Sequence, residues 1–330
     1  MYARLRPWLF RADPEHVHTA TLRLLQLVGA FPPLALIVRK LYAVPDQEPV
    51  NLFGLRFPNR LGLAAGYDKD GLAWRGIACL GFGHIEIGSV TPQPQPGNPK
   101  PRLFRLVSDS ALINRMGFPS RGAEFVATRL RGSRPKGLVI GVNLGINKTT
   151  PLDHAVNDYR YLMEMFNSLA DYLVINVSSP NTPGLRQLQG ATALHGLLKA
   201  LSPFRNKPLL VKLAPDLDEK QLDESLKVIT DNSIEGVIAT NTTLSRLNLR
   251  SPQASESGGL SGTLLSTISR KMIGHIYTHT QGKLPIIASG GIMSHEGADA
   301  AINAGASLVQ IFTGMIYRGP GLIKEILRSD

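Results

Sequence analysis

Five asparagines, Asn114, Asn143, Asn176, Asn181 and Asn241, and two lysines, Lys69 and Lys212, are the side chains in this chain best suited to hold a polar ligand. Each amide offers two donors and an acceptor, which suits a flat ligand with imide or amide edges, such as a pyrimidine or an isoalloxazine. Taken singly, any of the five is as readily a turn residue. Both lysines follow apolar runs, where an ammonium can hold an anion or tune a cofactor. A different chemistry is marked by Ser289-Gly290-Gly291-Ile292, which leads into a helix from about Ser294, and by Thr313-Gly314 before another. Glycines there let backbone N–H groups approach a phosphate, and helix N-termini stabilise it. A pair of structural tight turns is the plainer alternative.

Other chemistries find less support. His275 and His279 stand four apart on an expected helix, with no carboxylate or third ligand suggested nearby, and His16 and His18 would point away from each other. Surface or capping roles are expected for these histidines, and no metal. The single cysteine, Cys79, excludes an internal disulfide framework and reads as a buried, inert thiol. Neither a Gly-x-Ser-x-Gly elbow nor a local cysteine-nucleophile signature is present.

These residues need a scaffold, and the sequence specifies one. Eight short apolar runs, at 61–64, 84–87, 138–142, 172–175, 209–211, 236–239, 286–288 and 308–311, alternate with helical patterns such as 152–169 and 218–231. Alternating strands and helices, with eight strands, indicate an α/β fold: a closed (β/α)8 TIM barrel. Polar and glycine residues collect after each run: 65–69, 88–92, Asn143, Asn176, Lys212, 240–242, 289–291 and 312–314. Parallel strands finish on the face where barrel active sites are built, and phosphate sites recur after strands seven and eight. An open doubly wound sheet is the runner-up, but its dinucleotide fingerprint is missing: Gly81-Phe-Gly83-His-Ile-Glu86 carries glutamate where the third glycine belongs.

Residues 1–44 read as a small N-terminal helical extension, with 45–330 as the catalytic barrel and a proline-marked linker at 45–49. Asp13-Pro14 is an N-cap with proline at the first helical position, opening a helix to about Gly29. Pro32-Pro33 opens a second, from Leu34 to about Tyr42, that is apolar almost all round and must be buried or dipped into lipid. A hairpin turning at Gly54 follows, joining 50–53 to 55–57.

The formal net charge is +11, with 43% hydrophobic and 18% charged residues. No basic run is interleaved with aromatics, so acidic membranes or anionic ligands explain the charge better than nucleic acid. Residues 1–44 hold six basic side chains against two acidic, a net of +4, which suits an anionic membrane surface. The longest early uncharged run, 24–38, is fifteen residues broken by Pro32-Pro33, too short to span a bilayer, which takes roughly 18–20. Neither a secretory cleavage site nor a transit peptide is read. The expected place is therefore the cytoplasmic side of a bacterial cell membrane, bound peripherally through residues 1–44.

With these segments in hand, the chain resembles the membrane-associated, quinone-dependent class (class 2) of dihydroorotate dehydrogenases over essentially its whole length. The resemblance is carried by Ala-Ala-Gly-Tyr-Asp-Lys-Asp-Gly at 64–71, Gly-Ser-Val-Thr-Pro-Gln-Pro at 88–94, Asn-Arg-Met-Gly-Phe at 114–118 and Asn-Val-Ser-Ser-Pro-Asn-Thr-Pro-Gly-Leu-Arg at 176–186. Val-Lys-Leu-Ala-Pro-Asp at 211–216, Thr-Asn-Thr-Thr at 240–243, Gly-Gly-Leu-Ser-Gly at 258–262 and Gly-Pro-Gly-Leu-Ile-Lys at 319–324 add to it.

That resemblance implies an FMN flavoprotein of pyrimidine biosynthesis, oxidising dihydroorotate to orotate and passing electrons to a membrane quinone. It implies no nucleic acid and no obligate protein partner. Carried over residue by residue, it puts FMN on Ala65, Gly66, Tyr67, Asp68, Lys69, Ser89, Asn143, Asn176, Lys212, Thr240, Gly262, Gly291, Phe312 and Thr313. It puts dihydroorotate on Lys69, Asn114, Arg115, Met116, Gly117, Phe118, Asn176, Asn181, Asn241 and Thr242.

The position of the catalytic base holds Ser179, where soluble relatives that use fumarate or NAD have cysteine. Ser179 would take the C5 proton as a hydride leaves C6 for flavin N5, through a relay with Thr182 and a water. Lys212 would stabilise negative charge on the reduced flavin, and Lys69 would meet the substrate carboxylate. Two departures stand out: Phe312 where tyrosine is common, and Pro119 where asparagine is common.

Overall fold

The computed structural model describes residues 2–45 and 47–328, so one residue of the expected linker, Asp46, lies outside the described residues. Three helices open the chain: α1 (Tyr2–Leu9), α2 (Pro14–Ala30) and α3 (Pro32–Leu41). The start of α2 follows the expected chemistry: Asp13 caps it by accepting the His16 N–H at 2.9 Å, and Pro14 fills the first turn. Helix α1 was not expected from the sequence. It is held instead by tertiary bonds, Tyr2 Oη donating to the Ile316 carbonyl at 2.5 Å and Arg6 to that of Tyr317 at 3.0 Å.

Next come a hairpin, β1 (Val50–Leu52) and β2 (Leu55–Phe57), then β3 (Leu61–Leu63), α4 (Trp74–Ile77), β4 (His84–Val90), β5 (Leu103–Leu106), β6 (Ala111–Asn114) and α5 (Ala123–Leu130). Beyond them run β7 (Val139–Leu144), α6 (Ala155–Phe166), β8 (Tyr172–Asn176), α7 (Ala191–Leu201), β9 (Leu209–Leu213), α8 (Glu219–Asp231) and β10 (Gly236–Ala239). The chain finishes with β11 (Gly259–Gly262), α9 (Leu265–His279), β12 (Ile286–Ser289), α10 (His295–Asn303), β13 (Leu308–Ile311), α11 (Thr313–Arg318) and α12 (Gly321–Ile326).

Strands β3, β4, β7, β8, β9, β10, β12 and β13 close on themselves as a parallel barrel in that order. All eight apolar runs read from the sequence are barrel strands. Burial on both faces, by side chains within and helices without, makes such strands near-continuously apolar. The β1–β2 hairpin stoppers one end: Phe57 is fully buried against Val139, Tyr172, Leu210, Ile238, Ile287 and Leu308, which stand at or near the starts of their strands.

Around the barrel's other end stands a second sheet that the sequence did not announce. It is three-stranded and antiparallel, ordered β11-β6-β5, with Gly259 opposite Asn114 and Leu103 opposite Asn114 on the other side. The N-terminal helices are seated by a crossing of α2 on α4. A Cβ on Gly76 would lie 1.8 Å from the Leu25 carbonyl oxygen, so only glycine permits this approach. Glu15 adds an ion pair with Arg102 at 2.7 Å and with Lys100 at 3.2 Å.

Candidate active site

Beneath the mouth of the barrel lies a fixed polar layer. Glu86 of β4 is fully buried and accepts from Asn143 Nδ2 and from Gln310 Nε2, each at 2.8 Å. Lys212 Nζ stands 3.7 Å from the same carboxylate, its side chain 7% exposed. Above this layer Asn176 Nδ2 donates to Ser89 Oγ at 2.8 Å and to Asn143 Oδ1 at 3.0 Å, and Ser89 Oγ bonds Asn143 Oδ1. Asn176 Oδ1 accepts from Ser178 Oγ at 3.1 Å, whose own oxygen takes Asn241 Nδ2 at 2.9 Å. A buried network of this kind fixes rotamers that a lone amide would leave free.

The loop after β8 carries Ser179, whose Oγ accepts the Asn181 N–H at 3.3 Å. Asn181 in turn donates to the carbonyl of Asn114 at 3.1 Å and to its side-chain oxygen at 3.2 Å. Arg186 braces this loop from behind. Its guanidinium donates to Ser178 O at 2.9 Å, to Asp216 at 2.7 Å and to Thr242 O at 2.9 Å, tying together the segments after β8, β9 and β10.

Above this framework lies one cavity of about 690 Å³, continuous from the strand ends to the undersides of α1, α2 and α3. Of the residues expected at the site, Ser179, Lys69, Asn114, Met116, Gly117, Phe118, Asn176, Asn181, Asn241 and Thr242 line it. So do Ala65, Gly66, Tyr67, Ser89, Lys212, Thr240, Gly291, Phe312 and Thr313.

Four expected residues stand off the wall. Asn143 lies one layer deeper, behind Ser89. Asp68 turns away to accept the N–H groups of Leu72 and Ala73 at 2.8 and 2.7 Å. Arg115 pairs with Glu256 at 2.6 Å over the Phe104 ring, and Gly262 packs on the Ser110 carbonyl. Thr182 is buried and is also absent from the lining.

Burial sets the electrostatics. It pushes the Lys69 ammonium down to about 8 and the Asp68 carboxyl up to about 6. His18 sits edge-on to Tyr67 with ring centroids 5.0 Å apart; burial and the charge of Lys69 bring it down to about 4. That corrects the expectation of a surface or capping histidine, because His18 lines the cavity. Glu86, Gln310 and Arg186 had no part in the site read from sequence. The signal for Glu86 was present: His84 and Glu86 alternate with Ile85 and Ile87 along β4, two polar side chains on one face of an otherwise apolar run.

The comparisons with known proteins agree with this geometry. The family model for dihydroorotate dehydrogenase matches residues 49–329. The dihydroorotate dehydrogenase (quinone) of Acidithiobacillus ferrooxidans is 50% identical over 99% of this chain and 94% of its own length. The chain belongs to the dihydroorotate dehydrogenase family. Within it, relatives of the quinone class recur: that of Gloeobacter violaceus is 49% identical over 100% of this chain and 93% of the relative. The crystal structure of Eimeria tenella DHODH in complex with ferulenol superposes with a TM-score of 0.88 at 38% identity, covering 96% of this chain and 90% of that one.

The dihydroorotate dehydrogenases of this class are FMN flavoproteins, and the cavity fits that group. A Cβ on Gly291 would lie 2.2 Å from Ser266 Cα, so only glycine lets the turn after β12 pack on the start of α9, and Gly290, Gly291, Thr313 and Gly314 line the cavity where backbone N–H groups can meet a phosphate. Among the described residues, Gln310 Oε1 is a buried acceptor without a protein partner, and Gln310 lines the same cavity as the Lys212 ammonium.

Proposed function

We propose that the cavity at the strand ends carries out the family's reaction, oxidation of dihydroorotate to orotate with a quinone as electron acceptor, and that Ser179 is its base. The observation that carries the assignment is the meeting of Ser179, Lys69, Asn114, Asn181 and Lys212 in one cavity, with Asn181 bonded to Asn114. When bound, FMN supplies the acceptor for the two electrons that leave the substrate. Lys212, Ser89, Asn176 and Thr240 would hold its ring, and the turns at Gly290-Gly291 and Thr313-Gly314 would hold its phosphate.

Lys69 binds the dihydroorotate carboxylate as an ammonium, and Asn114, Asn176, Asn181 and Asn241 read the amide edges of the pyrimidine. Ser179 Oγ removes the C5 proton. A serine hydroxyl is a weak base in water, so the loop must keep it positioned and dry, which Arg186 and the Asn181 N–H serve. Glu86 keeps Lys212 in place from below, a positioning role.

Residues 1–44 form the access module. Trp8, Leu24, Leu27, Phe31, Leu36, Ile37 and Leu41 are exposed. No single helix among the described residues is long and apolar enough to cross a membrane; α2 and α3 reach that length only as a pair bent by 109°. An exposed apolar face flanked by Arg39 and Lys40 suits a helix lying in the interface of an anionic bilayer, on its cytoplasmic side.

The test is a visible spectrum followed by an acceptor panel with dihydroorotate as donor. Flavin absorbance and turnover with a quinone, but not with fumarate or NAD, are expected. Equal turnover with fumarate and no response to quinone would overturn the acceptor assignment.

A further inference from the structure

On the outside of the barrel, far in the chain from the catalytic loop, α8 and α9 bring Asp223, His275 and His279 together. One oxygen of Asp223 lies 2.6 Å from His275 Nε2 and 3.1 Å from His279 Nδ1. The imidazoles stand four residues apart on α9, nearly parallel at 13°, with centroids 6.0 Å apart. All three potential ligand atoms fall within 4.8 Å of one another. No third ligand near these histidines is evident from the sequence, because Asp223 arrives from another helix, 52 positions upstream of His275.

We propose that Asp223, His275 and His279 form a binding site for a divalent transition-metal ion of the zinc class. Histidines at i and i+4 share one helix face, so two ligands are set by backbone geometry alone. Nitrogen and oxygen ligands sit about 2.0–2.2 Å from zinc, and at tetrahedral or cis-octahedral angles they are about 3 Å apart. The two Asp–His separations therefore need to shift by only a few tenths of an ångström. Two imidazoles and one carboxylate select zinc, nickel or copper over magnesium or calcium, which prefer all-oxygen shells.

Side-chain exposures of 29% for His275, 38% for His279 and 39% for Asp223 leave an entry path and room for water at the remaining positions. Without an ion, one carboxylate oxygen faces two ring nitrogens and each must present an N–H. With an ion, the same nitrogens present lone pairs to it. Because α8 follows β9 and α9 precedes β12, the ion would tie the barrel unit that carries Lys212 to the one that leads to Gly290 and Gly291.

The experiment uses the intact flavin-loaded protein. Zinc chloride is titrated in a non-chelating buffer by calorimetry, and thermal unfolding is followed with and without the metal. One saturable equivalent is expected, with a higher Tm. His275→Ala and Asp223→Asn should each weaken that equivalent at least tenfold and abolish the Tm increase, while the exposed control His154→Ala changes neither. Dihydroorotate oxidation should be unchanged in all three variants, which shows that they are folded. No saturable equivalent in the unaltered protein, or an equivalent that survives both His275→Ala and Asp223→Asn, would overturn the site.

Discussion

The floor of the cavity and its roof are built on opposite terms. On the floor, Glu86, Asn143, Asn176 and Ser89 are linked by hydrogen bonds, Lys212 stands 3.7 Å from the Glu86 carboxylate, and hardly any of their surface meets solvent. On the roof, α3 has no buried residue, and Leu36 and Ile37 are 56% and 61% exposed. The floor buries polar groups and must satisfy each one, since an unsatisfied buried partner costs about 1–3 kcal/mol. The roof leaves apolar groups uncovered, which a chain sustains where another apolar phase covers them. Precision belongs to the first region and partition to the second.

The contrast can be tested from its strongest expected effect downward. Ser179→Ala should slow flavin reduction by dihydroorotate about 10²–10⁴-fold while leaving re-oxidation of chemically reduced protein by quinone unchanged. Stopped-flow absorbance separates the two half-reactions, and near-normal reduction would place the base elsewhere. Glu86→Gln leaves the Lys212 ammonium buried without its counter-charge. A loss of about 3 kcal/mol in unfolding free energy is expected, with a lower flavin-to-protein absorbance ratio.

A subtler probe of the floor is pH. Burial lowers Lys69 to about 8, so its ammonium is present below that pH and is lost as pH rises through it. The KM for dihydroorotate should then climb by about tenfold per pH unit above 8, while the KM for quinone stays flat. A Lys69→Met variant should lose this dependence. The smallest effect belongs to the roof: Leu36→Ser with Ile37→Ser should weaken vesicle binding about tenfold and raise the KM for a long-chain quinone. Flavin reduction by dihydroorotate should not change, and altered reduction would break the division between the two regions.

The legibility of the molecule divides along physical lines. Barrel strands were readable because burial on both faces demands apolar runs, and helix starts were readable because Asp13, Asp218 and Ser294 cap them. The β5-β6-β11 sheet was not, since Gly259 pairs with Asn114 across most of the barrel, with no turn between them to read. Ser179, Lys69 and the asparagines were found because they follow strands or fall in family motifs. Glu86 and Gln310 were passed over as single polar residues inside apolar strands. Asp223 was missed for a third reason: proximity between two helices is created only by folding.

The hairpin at the foot of the barrel has a wider consequence. With Phe57 filling that end, the barrel is a cul-de-sac. Donor, product and acceptor must then all enter or leave on the side of the barrel's mouth, so what surrounds that mouth sets access to the interior. Variation there can retune traffic without disturbing the machinery below, and an inhibitor lodged at the rim would starve an otherwise intact site.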